Sequence, residues 1–228
     1  LADVGEVLKE MNSKPEFKER APWFAKIREW KEKYPFTFKK LPGRLHAQHV
    51  IKTLSKMTKG DAVIVPGVGQ HQMWSAQFYD FNFPRQLLTS GGFGTMGFGL
   101  GAAIGAKAAY PEKTVIHITG DGSFRMNCNE LATESYYQLP IINVVFNNGT
   151  LGMVRQWQTL FFQKHYSNTM LDARQTDFVK LAQAFGAQAS RALTLEELEE
   201  ALTAAFACDG PYLIDCAIDK DEFVLPML

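Results

Sequence analysis

The chain has no surplus of charge of either sign: 24 Lys and Arg are matched by 24 Asp and Glu among 228 residues. It therefore has no basic field to hold a polyanion by counterion release and no polybasic stripe for an anionic membrane surface, so neither nucleic acid nor membrane is expected as a partner. Apolar runs stop well short of the roughly 20 residues needed to cross a bilayer. The opening LADVGEVLKEMNSKPEFKER has neither a signal-peptide core nor an initiator Met, which points to a soluble, non-secreted chain cut at its front. Cysteine is scarce. Cys128, Cys208 and Cys216 are odd in number and lack metal-ligand spacing, which argues against a thiolate metal site and for buried free thiols in a reducing compartment. Internal repeats and low-complexity tracts are also missing. What is present is a 46% hydrophobic content, enough to build the core of one α/β domain of ordinary size.

Residues 1–40 are charged and aromatic, with Trp23, Phe24, Ile27 and Trp30 at helical spacing ahead of Tyr34-Pro35. They are expected to form a linker, leaving residues 41–228 as the domain proper. From Leu45 onward a regular alternation begins. Strands are expected at 62–65, 86–88, 114–119, 141–146, 188–190 and 212–217, of which 114–119 and 141–146 are short apolar, β-branched runs, and helices are expected at 98–109, 127–138, 153–161, 178–185 and 195–208. The alternation predicts an α/β fold, a doubly wound, mostly parallel six-stranded sheet with helices on both faces.

Gly120-Asp121-Gly122 closes one of these runs, and Asn147-Asn148 closes the next after 24 intervening residues. Strand, helix and strand over about thirty residues make one right-handed crossover, which places both carboxyl ends at the same sheet edge. Asp121 and Asn148 are thus expected to converge. One carboxylate oxygen, one amide carbonyl and the backbone carbonyl of Thr150 suit Mg²⁺, which takes few protein oxygens and completes its shell with phosphate and water. Gly122 and Ser123 would offer backbone N–H groups to a phosphate at the amino end of the following helix. Gly-Asp-Gly and Asn-Asn-Gly are also ordinary turn sequences. Their spacing, on strands too apolar to be hairpin partners, favours the metal reading.

Three other segments face the same edge. Gly92, Gly94 and Gly97 form a G-x-G-x-x-G pattern, which leaves a dinucleotide site open. The acid such a site needs about twenty residues on is not in place, since Asp121 lies 29 residues from Gly92. The other reading is that these glycines admit a flat heteroaromatic ring, with Met96 beneath it as a polarisable wedge or as plain core. Gln70 and His71, in VGQHQMW, could donate hydrogen bonds to phosphate oxygens. In LGMVRQWQ, Gly152 and Met153 follow the second ligand, and Met153 and Trp157 share a helix face turned to the crevice, unless Trp157 is core packing. His117, mid-strand, is expected to be a satisfied core residue. Glu196, Glu197, Glu199 and Glu200 should form a solvated face, and Glu130 and Glu134 should serve surface or interface pairing.

Taken together, GDGSF…NN, VGQHQMW, TSGGFGTMGFGLGAAIGA, GDGSFRMNCNELAT, NNGTLGMVRQWQ and FVLPML resemble the carboxyl-terminal, thiamine-diphosphate-binding domain of acetohydroxyacid (acetolactate) synthases over about residues 40–228. The resemblance implies an enzyme that decarboxylates pyruvate and adds the product to a second 2-keto acid in branched-chain amino-acid synthesis. It implies that Asp121, Asn148 and the Thr150 carbonyl hold Mg²⁺. It also implies that Gln70, His71, Gly94, Met96, Gly120, Gly122, Ser123, Asn148, Gly152 and Met153 contact the cofactor, and that Trp157 favours 2-ketobutyrate as acceptor. Pro66 and Gly101 depart from the family pattern at positions expected to touch no ligand. The family's catalytic glutamate and its FAD-binding middle domain lie outside this chain, so no catalytic residue is expected here and the isolated chain is expected not to turn over pyruvate. A dimer or tetramer, a small regulatory subunit, and a cytoplasmic, plastid or mitochondrial location are further implications. A catabolic acetolactate synthase, a pyruvate oxidase relative and a non-catalytic dinucleotide-binding module stay open as alternatives.

Overall fold

The computed structural model describes residues 2–14, 20–38, 43–171 and 176–226. Parts of the expected linker (15–19, 39–40) and the last two residues of FVLPML lie outside the described residues. The chain divides into two units, Leu1–Thr37 and Phe38–Leu228. The first holds α1 (Val4–Ser13), capped by Asp3 accepting from the Gly5 and Glu6 N–H groups, and α2 (Ala21–Lys33), with Pro22 in its first turn. Neither helix contains a buried residue.

The second unit opens with α3 (Ala47–Thr58), β1 (Val63–Pro66), α4 (Gln70–Phe78), α5 (Phe98–Ala109) and β2 (Val115–Gly120). The crossover that follows is α6 (Asp121–Arg125), a 3₁₀ turn (Cys128–Glu130) and α7 (Leu131–Tyr136), leading into β3 (Ile141–Asn147). Then come α8 (Gly152–Phe161), α9 (Phe178–Ala184), β4 (Gln188–Ala192), α10 (Leu195–Phe206) and β5 (Tyr212–Ala217). All strand pairings are parallel, in the order β1-β2-β3-β5-β4. No described helix is long and apolar enough to cross a membrane.

Alternation along each strand splits the core between the two sheet faces. Ile116 and Ile118 of β2 pack with Val50, Ile51 and Leu54 of α3, Trp74 of α4 and Leu202 of α10. Val115 packs with Ala103 and Ala106 of α5. Val145 and Leu213 meet Phe124, Leu131 and Phe178. Helices therefore cover both faces, which is why the strands are apolar runs rather than alternating ones. Burying each such Ile, Leu or Val contributes roughly 1.5–3 kcal/mol.

Two expectations are corrected. Five strands are found among the described residues, where six were expected. The run at 86–88 makes only an isolated parallel bridge, Ile64 to Leu87, through Ile64 N–H to Gln86 O (2.8 Å) and Leu88 N–H to Ile64 O (2.9 Å). The Gln86 side chain is occupied elsewhere, donating to Gly60 O and Ala62 O and accepting from Asn82 N, and the glycine-rich loop begins soon after. The expected helix 127–138 is shorter, starting after Asn127, which is not helical (φ −141°, ψ 21°), as a 3₁₀ turn that runs into α7 and ends at Tyr136. Asn127 Nδ2 donates to Gly97 O (3.1 Å), a side-chain bond that competes with helix formation at that residue.

Candidate functional site

β2 and β3 end side by side, and their two motifs grip each other. Asp121, only 1% exposed, opens α6 directly from the end of β2. Its Oδ1 accepts from the Gly122 N–H and its Oδ2 from the Gly149 N–H, both at 2.9 Å. Gly149 has φ +66°, in the left-handed region that glycine enters freely, and this aims its N–H back at β2. Asn148 Oδ1 accepts from Thr150 N (3.1 Å), and Thr150 Oγ1 donates to Thr169 O (2.7 Å), so the loop after β3 is tied down on both sides. Burial lifts the Asp121 pKa to about 6, and the two N–H bonds and the Arg125 charge oppose the rise only in part. A cation beside the carboxylate would offset that desolvation.

The amino end of α4 brings Gln70 and His71 to the same edge, both buried. The structure corrects the expected role of the Gln70 side chain. Its Nε2 donates to Gln156 Oε1 and to Glu222 O, both at 2.9 Å, so its amide protons are committed and none is left for a phosphate oxygen. What remains is Oε1, buried and without a hydrogen-bond partner. His71 Nε2 is likewise buried and unpartnered. Burial first, and the neighbouring His117 second, push the His71 pKa down to about 3, so the ring is neutral and keeps a single N–H donor.

The glycine-rich loop closes over this edge, with Gly94 and Gly97 at φ +67° and +86°. Gly97 N–H donates to Ser123 Oγ (3.0 Å), pinning the loop to α6. The methyl of Met96 lies 3.7 Å from where a Cβ on Gly122 would stand. A Cβ on Gly152 would stand 2.1 Å from Gln70 Oε1 and 2.8 Å from Asn148 Nδ2, so glycine is required there by space. These segments line a cleft at the sheet edge.

Of the residues singled out in the sequence, Gln70, His71, Met96, Gly120, Asp121, Gly122, Ser123, Asn148, Thr150, Gly152 and Met153 all line this cleft. Gly94 stands beside it, its Cβ direction facing the lining residue Val68 at 4.0 Å. Trp157 is not brought in. It is 45% exposed and packs on Phe161 with ring centroids 5.0 Å apart, so it is neither a cleft wall nor core. Four residues past Met153, it has travelled about 6 Å along α8. Gln156 and the segment 222–224 were not among the expected site residues, although the motifs LGMVRQWQ and FVLPML contain Gln156 and Val224. Gln156 is fully buried, with Nε2 donating to Val224 O (2.9 Å) and Oε1 accepting from Val224 N (3.0 Å). A polar residue on an amphipathic helix gives no signal that it faces inward.

Among the described residues no group of three or more His, Cys, Asp or Glu is placed to hold a metal ion. A cation beside Asp121 would therefore rely on carbonyl oxygens and on oxygens brought by a ligand, the habit of Mg²⁺ with phosphates. One family matches the chain: the C-terminal TPP-binding domain of thiamine pyrophosphate enzymes, over residues 67–216. The mitochondrial acetolactate synthase catalytic subunit of Saccharomyces cerevisiae is 44% identical over 216 residues, covering 92% of this chain and 31% of the relative. The acetolactate synthase large subunit of Buchnera aphidicola subsp. Schizaphis graminum is 41% identical over 234 residues, covering 100% and 41%. Chloroplastic acetolactate synthase 1 of Nicotiana tabacum is 41% identical over 239 residues, covering 100% and 36%. The chain thus spans between 31% and 41% of the length of these curated relatives.

Proposed function

This chain belongs to the thiamine pyrophosphate enzymes, as their C-terminal cofactor-binding domain, and from that premise we propose that it is the corresponding part of a biosynthetic acetolactate synthase. In this reading residues 41–228 form the thiamine-diphosphate and Mg²⁺ domain, and residues 1–40 link it to further domains of the parent enzyme. Those domains carry FAD and the glutamate that activates the aminopyrimidine. The parent joins pyruvate to a second 2-keto acid. It works as a dimer or tetramer with a small regulatory subunit, in the cytoplasm of a bacterium or in an organelle.

The observation that carries the reading is the bracing of Asp121 by N–H groups from both motifs. It leaves a buried carboxylate held at the cleft with lone pairs to spare, beside two carbonyl sources, Asn148 and Thr150. The orphaned His71 Nε2 and the glycine-lined floor fit a polar, phosphate-bearing ligand. Asp121, Asn148 Oδ1 and the Thr150 carbonyl would hold the cation. His71, as a neutral donor, and the Ser123 backbone would meet phosphate oxygens. Met96 and the Gly94 carbonyl would set the orientation of the heteroaromatic part. Trp157, exposed beyond the cleft, would influence the acceptor from the side that other parts of the parent cover. When bound, the thiazolium ring supplies the electron sink for decarboxylation, while the chain supplies orientation and electrostatics.

Calorimetric titration tests this. Thiamine diphosphate should bind the wild-type chain only with Mg²⁺ present, and Asp121→Ala should abolish that Mg²⁺-dependent binding. Metal-independent binding of NAD or FAD would instead favour the dinucleotide-binding module. The 228-residue chain alone should form no acetolactate from pyruvate, and product formation in a colorimetric assay would contradict the division of labour proposed.

A further inference from the structure

Side-chain amides present an oxygen on one side and an N–H donor on the other, and only the oxygen can ligate a hard cation. The Thr150 N–H holds Asn148 Oδ1 (3.1 Å), and a second contact at Nδ2 would keep the amide in that sense when a cation competes for the oxygen. The backbone of Val224 supplies a polarity that cannot flip, because it offers both an N–H and a C=O to one side chain. Gln156 answers with Oε1 on the N–H (3.0 Å) and Nε2 on the C=O (2.9 Å). With Gln156 Oε1 thus placed, Gln70 must turn Nε2 toward it (2.9 Å), and the carbonyl of Glu222 demands the same orientation (2.9 Å). Gln70 Oε1 is then forced toward the cleft, buried, with no partner. It flanks the notch over Gly152 together with Asn148 Nδ2, the two atoms standing 2.1 Å and 2.8 Å from the same missing-Cβ position.

We propose that these residues form an amide relay, in which the Val224 backbone orients Gln156, Gln156 orients Gln70, and Gln70 Oε1 accepts from Asn148 Nδ2 when the site is loaded. Asn148 Oδ1 is then the atom left facing the cation. Gln70 and Gln156 are positioning residues, and the segment 222–224 is part of the metal site without touching it. The inference rests on the Mg²⁺ and thiamine-diphosphate reading above. The relay also explains two features of this site. An unpaired buried acceptor is destabilising by roughly 1–3 kcal/mol, so Gln70 Oε1 calls for a donor rather than a phosphate oxygen. Gly152 keeps open the notch across which the two amides meet.

The test uses the 228-residue chain with Mn²⁺ as a paramagnetic probe of the Mg²⁺ site, titrated by electron paramagnetic resonance at saturating thiamine diphosphate. Gln156→Leu and Gln70→Met are each expected to weaken Mn²⁺ binding about tenfold, the usual scale for loss of a group that orients a ligand. In the wild-type chain loaded with Mg²⁺ and thiamine diphosphate, nuclear magnetic resonance should find slowed exchange of the Asn148 side-chain amide protons and a coupling across the hydrogen bond from Asn148 Nδ2 to Gln70 Cδ. That coupling needs no variant to fold. Should wild type load normally while both variants bind within twofold of it, or while the Asn148 amide exchanges freely with no coupling, the relay is wrong and the cofactor reading stands. Should wild type show no cofactor-dependent Mn²⁺ binding, the cofactor reading fails and the relay fails with it.

Discussion

Glu134 sits on α7 with its side chain fully buried, not in the surface or interface pairing expected for it with Glu130. Its Oε2 accepts from Asn143 Nδ2 (2.8 Å), and Asn143 Oδ1 in turn faces His117 Nδ1 (2.9 Å), which must carry the proton. The satisfied-core reading of His117 was legible because its neighbours on the strand are apolar. The burial of Glu134 was not, since its partner Asn143 comes from β3. Burial lifts the Glu134 pKa to about 8, against a smaller opposing effect of the Asn143 bond. A raised carboxyl pKa gives a stability contribution that is complete below the ordinary glutamate value and lost as pH rises toward about 8. In that window only the folded chain holds this proton, so the contribution of Glu134 to stability should fall by roughly 1.4 kcal/mol per pH unit. Between pH 6.5 and pH 8, above the range in which the buried histidines and Asp121 change stability, the urea unfolding midpoint should fall for wild type, and Glu134→Gln should remove most of that fall. Equal slopes in the two proteins would contradict the assignment.

At the scale of elements, α5 shows why a glycine-rich helix cannot be judged from its sequence. Gly99, Gly101 and Gly105 look alike in the run FGLGAAIGA. A Cβ on Gly99 would stand 2.5 Å from His117 Nε2 and 2.9 Å from Gly67 N, whereas Cβ atoms on Gly101 and Gly105 meet nothing within 4 Å. Gly99 is the close contact that seats α5 on β2. The other two glycines only weaken the helix. Gly101→Ala and Gly105→Ala should each stabilise by roughly 0.5–1 kcal/mol, and Gly99→Ala should destabilise by roughly 1–3 kcal/mol through overpacking. Chemical denaturation of the three variants checks the sign of each. The departure at Gly101 from the family pattern thus falls on an open helix face, where nothing depends on it. Element types followed from periodicity, yet the late helix start after Asn127 and the single bridge at Leu87 depended on which side-chain bonds competed with the ladder and the helix.

For the whole molecule, the two units invite a deletion. The three buried apolar clusters are made of second-unit residues alone, so a chain beginning at Phe38 should fold by itself with a single cooperative melting transition, measured by circular dichroism. Phe38 must be retained, because its ring packs edge-on against His49 at 4.8 Å and Phe78 at 5.8 Å. Much of the site was legible beforehand. Apolar runs and the handedness of parallel crossovers already dictate that Asp121 and Asn148 meet, because both lie at strand ends and strand ends share an edge. Composition and periodicity likewise determined the fold class. Only the tertiary structure decided what the neighbouring side chains do there. It turned the Gln70 amide away from the phosphate role, left Trp157 outside the cleft and drew Val224 into the support of the site. The physical reason is that hydrogen-bond direction and helix facing are settled between residues far apart in the chain, such as Gln70 and Glu222, and no local pattern of residue types records which partner a side chain will find.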